Sequence, residues 1–156
     1  MAMLTLTERD RTATGLSADA AEATPDRRDS APLRVLVVED DFLVAMTIEQ
    51  AVRNAGMEVV GIAPTRARAL EMGAALKPDF ATMDINLRGD QAGTDIARQF
   101  HEQLGVRSLF ITAYAGDAEK NREAAPAQPL GWVDKPFTTD TLVARLRRAA
   151  RQLDDA

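Results

Sequence analysis

Acidic, hydroxyl and cationic residues follow four short apolar runs of this chain, and their types could together support phosphoryl transfer. Glu39 and Asp40 follow one run, Asp84 follows a second, Thr112 ends a third, and Lys135 comes closely after a fourth. Side chains just past parallel strands meet at one edge of a sheet, where open α/β folds place their sites. If these runs are parallel strands, the pattern predicts a site that places a phosphoryl group on a carboxylate with a divalent cation.

Short apolar runs alternate with amphipathic segments along most of the chain, which predicts strands that alternate with helices. The run at 33–38 is apolar without alternation, as in a strand buried on both faces. Asp40 or Asp41 could cap the helix that follows, in which Val44 and Ile48 recur at helical spacing. The repetition predicts a doubly wound parallel sheet of five strands, at 33–38, 57–62, 80–85, 106–112 and 130–133.

The segment after the fourth predicted strand is expected to be the least regular part of the domain. Residues 117–125 could form a short helix, which Pro126 and Pro129 would end. Thr138 is predicted to cap the last helix.

Residues 1–32 are predicted to be a flexible N-terminal leader, and residues 33–154 a single domain. The leader is rich in Ala, Thr, Ser, Asp and Arg and has no aromatic residue. Such a composition buries too little apolar area to offset the entropy of ordering. A short helix at 18–23 and a docking role for the leader are left open as alternatives.

Composition and charge limit the classes of protein to which the chain could belong. Its 156 residues suit one domain, and a hydrophobic content of 46% is typical of globular proteins. The formal charge of −5 and the pI of about 4.9 argue against binding to nucleic acid or to an anionic membrane. The chain has no cysteine, no apolar run long enough to span a membrane and no signal-peptide core. A cytoplasmic location is therefore expected.

Four motifs in order resemble those of the receiver domains of two-component response regulators. They read VVEDD at 37–41, MDIN at 83–86, FITA at 110–113 and VDKPF at 133–137. Each motif lies at the end of a predicted strand, and the resemblance covers about 33–153. It implies a flavodoxin-like (β/α)5 fold with the strand order 2-1-3-4-5.

The resemblance also implies that the acidic residues bind Mg²⁺. Asp40 and Asp84 would be direct ligands together with the backbone carbonyl of Asn86, and Glu39 would act through water. Mg²⁺ prefers few carboxylates, a carbonyl oxygen and retained waters, which this set provides. Asp41 matches a less critical position of the family and is expected to cap a helix instead.

By the same resemblance, Asp84 is the phosphoacceptor. Lys135 would pair with one phosphoryl oxygen, and Thr112 would donate its hydroxyl to another. A cis peptide bond between Lys135 and Pro136 is implied as well. A carboxylate is a poor nucleophile until its repulsion by the incoming phosphoryl group is relieved, which explains the need for a cation beside it.

Three residues could transmit the phosphorylated state. The resemblance implies that Thr112 moves inward and that the ring of Trp132 follows; a half-buried ring on an edge strand is the alternative. Residues 110–114 are similar to an atypical receiver subgroup with a Phe-x-Thr-x-Tyr motif, which makes Tyr114 a second candidate. In that subgroup the segment 115–128 would order on activation instead.

The resulting hypothesis is a stand-alone receiver that accepts a phosphoryl group from a sensor histidine kinase or a phosphotransfer protein. Because Leu153 lies three residues from the end, no output domain is expected, and output would come from phosphorylation-dependent binding to a downstream regulator. A phosphate-sink role fits equally well, and a homodimer on phosphorylation is left open. The domain would not be an enzyme beyond catalysing its own phosphorylation and dephosphorylation.

Two other classes of protein are kept as alternatives. An aspartyl-phosphate phosphatase would need a second Asp two residues after the nucleophile, where this chain has Asn86. A flavodoxin-like or purely structural interaction domain would need a Ser/Thr-rich phosphate loop after the first strand, where this chain has acids.

Overall fold

Five parallel strands form the central sheet of the computed structural model, which describes residues 31–155. Their order is β2-β1-β3-β4-β5, so the predicted doubly wound, flavodoxin-like sheet is confirmed. Residues 1–30 of the predicted leader, including the alternative helix at 18–23, lie outside the described residues. The strands are β1 Arg34–Val38, β2 Glu58–Ala63, β3 Phe80–Met83, β4 Arg107–Thr112 and β5 Gly131–Asp134.

The third strand ends two residues earlier than the predicted range of 80–85. The Asp84 N–H still donates to Val38 O at 3.0 Å, but Ile85 O accepts from the Gly93 N–H at 3.0 Å. Ile85 therefore bonds to the start of the following helix and not to a neighbouring strand. The other four strands agree with the prediction to within one residue at each end.

Polar side chains cap the first turns of α-helices in the described part of the chain, except for the helix that begins at Gly93, where Ala92 offers no side-chain cap. Asp41 accepts from the Leu43 and Val44 amides at 3.0 and 3.2 Å, which decides between Asp40 and Asp41 as the first cap. Thr138 accepts from the Thr141 N–H at 3.1 Å, as predicted. The helices are α1 Phe42–Asn54, α2 Arg66–Leu76, α3 Gly93–Leu104, α4 Ala118–Ala124 with a 3₁₀ turn at Ala125–Ala127, and α5 Thr139–Asp155.

None of these helices is long and apolar enough to cross a membrane.

The sheet is buried on both faces, as strand β1 illustrates. Leu36 and Val38 belong to a core layer shared with α2, α3 and α4, whereas Val35 and Val37 belong to a layer shared with α1 and α5. Burying one such side chain contributes about 1.5–3 kcal/mol. The filled core on either side holds the sheet in place, and the sheet in turn positions the residues that follow its strands.

Candidate functional site

The carboxyl ends of four strands meet at a pocket of about 300 Å³. Glu39 and Asp40 follow β1, Asp84 follows β3, Thr112 ends β4, and Lys135 follows β5. The strand order reverses between β1 and β3, which is where doubly wound folds bind ligands. The structure therefore brings together the residues predicted to be catalytic or metal-binding, and the pocket is lined by Glu39, Asp40, Asp41, Asp84, Asn86, Thr112, Ala113, Tyr114 and Lys135.

The Lys135 ammonium joins two of the buried carboxylates. Its Nζ lies 2.8 Å from Glu39 Oε1 and 2.9 Å from Asp84 Oδ2. Burial alone would lower the pKa of Lys135, but its hydrogen bonds to Glu39 and Asp84 raise that pKa above its ordinary value. Lys135 is therefore a fixed positive charge beside Asp84. The Lys135–Pro136 peptide bond is cis, as the resemblance implied.

Glu39 is the most deeply buried acid of the site, with 2% of its surface exposed. Burial is the main reason that its pKa rises to about 7; the nearby Asp84 charge adds to the rise, and hydrogen bonds from Lys135 and the Asp41 backbone oppose it. Near neutral pH, Glu39 is thus a carboxyl group that a further positive charge would stabilise in its ionised form.

Three carboxylates converge in this pocket and are suited to a small divalent cation. Glu39, Asp40 and Asp84 each present an oxygen, and these oxygens lie within 4.8 Å of one another. One ammonium cannot neutralise three carboxylates, so a cation with oxygen ligands would relieve their mutual repulsion. Hard oxygen donors in this number fit Mg²⁺, which keeps several waters and needs few protein ligands.

The side chains of two other residues of the pocket, Asp41 and Asn86, already accept hydrogen bonds from nearby backbone N–H groups. Asp41 lines the pocket, but its carboxylate caps α1, as expected for a residue with a structural role. The side-chain oxygen of Asn86 accepts from the Gly89 N–H at 3.0 Å. The side chain of Asn86 is therefore turned into its loop, and the ligand predicted from this residue, its backbone carbonyl, stays a prediction.

Thr112 is fully buried at the end of β4. Its Oγ1 accepts from the Tyr114 N–H at 3.2 Å, which leaves the hydroxyl hydrogen as the group that could meet an anion on Asp84. Thr112 O also accepts from the Lys135 N–H at 3.1 Å. Thr112 is thus bonded to the segments that carry Tyr114 and Lys135.

The two aromatic switch candidates occupy different positions relative to the pocket. Tyr114 lines it, and the Tyr114 hydroxyl lies 3.4 Å from Gln91 Nε2. Trp132 is half-buried on the edge strand β5 and stacks on Phe110, with ring centroids 4.4 Å apart and an interplanar angle of 13°.

Residues 118–127 are helical here, so the short, irregular helix was predicted correctly, while its ordering on activation stays a prediction.

Several residues that shape the site were not identified from the sequence. Arg66, the first residue of α2, bonds to Asp90 and Asp95, and its hydrogen bond is the main reason that the pKa of Asp95 is lowered. Gly93 packs directly against the backbone of Asp84 and Ile85. Gly89 was a visible turn signal, whereas Arg66 had none because its partners lie far along the chain.

The sequence matches the response regulator receiver domain family over residues 35–147. Two curated relatives illustrate the range of lengths. The transcriptional regulatory protein PdtaR of Mycobacterium tuberculosis H37Rv is 29% identical over 127 residues, which cover 81% of this chain and 60% of PdtaR. The chemotaxis protein CheY of Thermotoga maritima is 28% identical over 118 residues, which cover 76% of this chain and 98% of CheY.

A solved structure supports the same assignment. The receiver domain of the response regulator PhyR from Erythrobacter litoralis is 32% identical, with a TM-score of 0.68, and the match covers 78% of this chain and 92% of that domain. The matched residues 35–147 include every strand end that lines the pocket. On sequence and fold together, this chain belongs to the response regulator receiver domain family.

Proposed function

We propose that this receiver accepts a phosphoryl group from a phosphohistidine onto Asp84, with Mg²⁺ held by Asp40, Asp84 and, through water, Glu39. The observation that carries the proposal is the contact of 2.9 Å between Lys135 Nζ and Asp84 Oδ2 inside a cluster of three carboxylates. A carboxylate beside a fixed cation and a metal-suited cluster is what an acyl phosphate needs in order to form.

The residues of the chain would act in a defined order. An oxygen of Asp84 attacks phosphorus, the bond from phosphorus to the donor imidazole nitrogen breaks, and the imidazole leaves with the electron pair of that bond. Lys135 then pairs with a phosphoryl oxygen, and Thr112 donates its hydroxyl to another. Mg²⁺, when bound, neutralises charge on the phosphoryl oxygens that approach the carboxylates.

An apolar surface beside the pocket supports a protein as the phosphodonor. Of the described residues, the large apolar side chains most exposed to solvent are Phe42, Leu43 and Met46, on the first turns of α1. Val44 and Thr47, from the same turns of α1, line an apolar groove of about 380 Å³ together with Lys135, Pro136 and Phe137. Because Lys135 borders both the groove and the pocket, a protein bound there would sit next to Asp84. The phosphodonor would then be a sensor histidine kinase or a phosphotransfer protein, each of which carries a phosphohistidine.

The output would depend on groups that touch Thr112. If the Thr112 side chain rotates to bring Oγ1 to the phosphoryl group, the Tyr114 amide loses its acceptor, and the segment after β4 is free to change. Phosphorylation-dependent binding of a downstream regulator would read that change. The fluorescence of the stacked Trp132 would report the change in this segment, whichever of Tyr114 and Trp132 moves first.

The phosphatase alternative is not favoured by the site. Asn86 stands where such an enzyme needs an acid, and its side-chain oxygen is occupied by the Gly89 amide. An amide cannot take the place of a carboxylic acid in proton transfer, so we expect the chain not to hydrolyse free phosphate esters. The flavodoxin-like alternative is disfavoured because Glu39 and Asp40 would repel a phosphate placed after β1.

The proposal is tested with a small phosphodonor such as acetyl phosphate, which needs no partner. The wild-type chain should gain one phosphoryl group when Mg²⁺ is present and none when it is chelated, measured by mass spectrometry of the intact protein. Asp84→Asn should gain none. Asp41→Asn is the matched control, because Asn also caps a helix, and it should gain the group like the wild type.

A further inference from the structure

The loop between β3 and α3 folds into a two-residue hairpin beside the candidate metal site. Leu87 and Asp90 exchange both backbone hydrogen bonds, at 2.8 and 3.0 Å. The two residues between them have positive φ values, 54° at Arg88 and 83° at Gly89. Such a turn suits Gly at both central positions, so Arg88 occupies a left-handed conformation that a side chain disfavours. Contacts outside the turn offset this cost.

The inner contact reaches the proposed metal site directly. The Arg88 N–H, which the left-handed turn directs to the pocket, donates to Asp40 Oδ2 at 3.0 Å across 48 residues of sequence. This bond fixes one oxygen of the Asp40 carboxylate and so sets the direction of the other. The orientation of a proposed metal ligand thus depends on where the hairpin sits.

The outer contact comes from α2. Arg66 Nε lies 3.1 Å from Asp90 Oδ2 and Arg66 Nη2 lies 3.4 Å from Asp90 Oδ1. The guanidinium therefore forms a bidentate contact with both carboxylate oxygens of this hairpin residue. Arg66 Nη1 also bonds to Asp95 Oδ2 at 2.7 Å, and Asp95 bonds to Arg98. These bonds join the hairpin to the first turns of α2 and α3.

We propose that Arg66 is a positioning residue of the metal site: it holds the hairpin through Asp90, and the hairpin fixes Asp40 through the Arg88 amide. This proposal rests on the proposed function, because it concerns the site at which Mg²⁺ would bind. Arg66 itself does not line the pocket. An exposed ion pair usually contributes little to global stability, so its effect is expected at the site and not in the unfolding of the protein.

The test compares Arg66→Gln and Asp90→Asn with the control Arg68→Gln in the full chain. Arg68 lies on the same turn of α2, but its partner is Glu71 of the same helix. Titration calorimetry should show Mg²⁺ binding weakened by about threefold to tenfold in the first two variants and unchanged in the control. The double variant should lose no more than Arg66→Gln alone, since Asp90→Asn removes a contact that Arg66→Gln has already removed.

A metal-free measurement separates this proposal from the proposed function. Hydrogen exchange of the Arg88 amide, followed by NMR without Mg²⁺, should be faster in Arg66→Gln and in Asp90→Asn than in Arg68→Gln. Unchanged exchange in both variants would overturn the positioning role, even if Mg²⁺ binds as proposed. Faster exchange in a protein that binds no Mg²⁺ would support the hold on Asp40 and refute the metal site. Should Arg66→Gln unfold, Asp90→Asn alone decides, because it leaves the Arg66–Asp95 pair intact.

Discussion

The ammonium of Lys135 lies 2.9 Å from Asp84 Oδ2, and Glu39 Oε1 contacts the same ammonium at 2.8 Å. The carboxylate proposed to attack phosphorus is thus paired, before any reaction, with the cation proposed to hold the product. Formation of an acyl phosphate would convert one ion pair into another without leaving Lys135 unpaired. The arrangement also ties the folding stability of the domain to the charge state of its site.

Replacing Lys135 with Met should destabilise the domain most strongly at high pH. The substitution leaves the buried acids Glu39 and Asp84 without their cation, and breaking a buried pair of this kind costs about 3 kcal/mol. At pH 5 the loss should be smaller, because Glu39 is then protonated. Urea unfolding at pH 8 and pH 5 measures both values. Arg68→Met removes an exposed ion pair within α2 and should change stability far less; equal losses in the two variants would contradict the burial argument.

Glu39 should make the metal-free domain less stable as pH rises. Its folded-state pKa of about 7 lies above the ordinary value of 4.5, so its contribution is fully present below pH 4.5 and lost as pH rises through 7. The loss relative to Glu39→Gln should reach about 3 kcal/mol. Chelator-containing urea titrations from pH 4.5 to pH 8 measure the difference between the two proteins. Parallel pH profiles for wild type and Glu39→Gln would rule out the raised pKa.

Mutating Gly93 to Ala should disturb Asp84, the proposed phosphoacceptor, without touching its side chain. An added Cβ would lie 2.5 Å from Ile85 Cα and closer still to the Asp84 carbonyl, so the start of α3 must move away from β3. Crowding of this kind costs about 1–3 kcal/mol, and the rate of phosphorylation by acetyl phosphate should fall with it. Thermal unfolding and the phosphorylation rate measure the two effects. Gly116→Ala is the matched control, since nothing lies within 4 Å of its added Cβ.

Polar substitutions on the exposed face of α1 should slow phosphotransfer from a protein donor only. Phe42 and Leu43 are 71% and 74% exposed, so Phe42→Gln with Leu43→Gln removes little buried area from the domain itself. We expect transfer from a phosphorylated histidine kinase, the proposed donor, to slow by at least about tenfold, which corresponds to losing two apolar contacts. The rate with acetyl phosphate should stay unchanged. Equal slowing with both donors would place the effect in the pocket, and Glu102→Gln on α3 serves as a control.

The sheet and the convergence of the site could be predicted because both follow from local pattern. The uninterrupted apolar run of β1 and the regular alternation of strands and helices define a doubly wound sheet. Such a sheet places Asp40, Asp84 and Lys135 at one edge whatever the details of the loops. The early end of β3 was not predicted. Apolar and polar residues alternate through Ile85 as they would in a strand, but the Ile85 carbonyl accepts from the Gly93 N–H.

Contacts that depend on tertiary packing could not be predicted. Arg66 and Asp90 are separated by 24 residues, and nothing in either local sequence indicates that α2 begins beside the hairpin. The stacking of Trp132 on Phe110 depends on the register of β4 and β5, in which these residues are direct partners. A shift of one residue would place the two rings on opposite faces.

Chemical mapping of the phosphoryl group tests the central claim most directly. Borohydride reduces an aspartyl phosphate to homoserine, so the chain is phosphorylated with Mg²⁺, reduced, digested and sequenced by mass spectrometry. We expect homoserine at position 84 and nowhere else, and unmodified Asp at 84 when Mg²⁺ is chelated. Homoserine at position 40 or 41, or a phosphorylated chain with intact Asp84, would contradict the assignment of Asp84 as the phosphoacceptor.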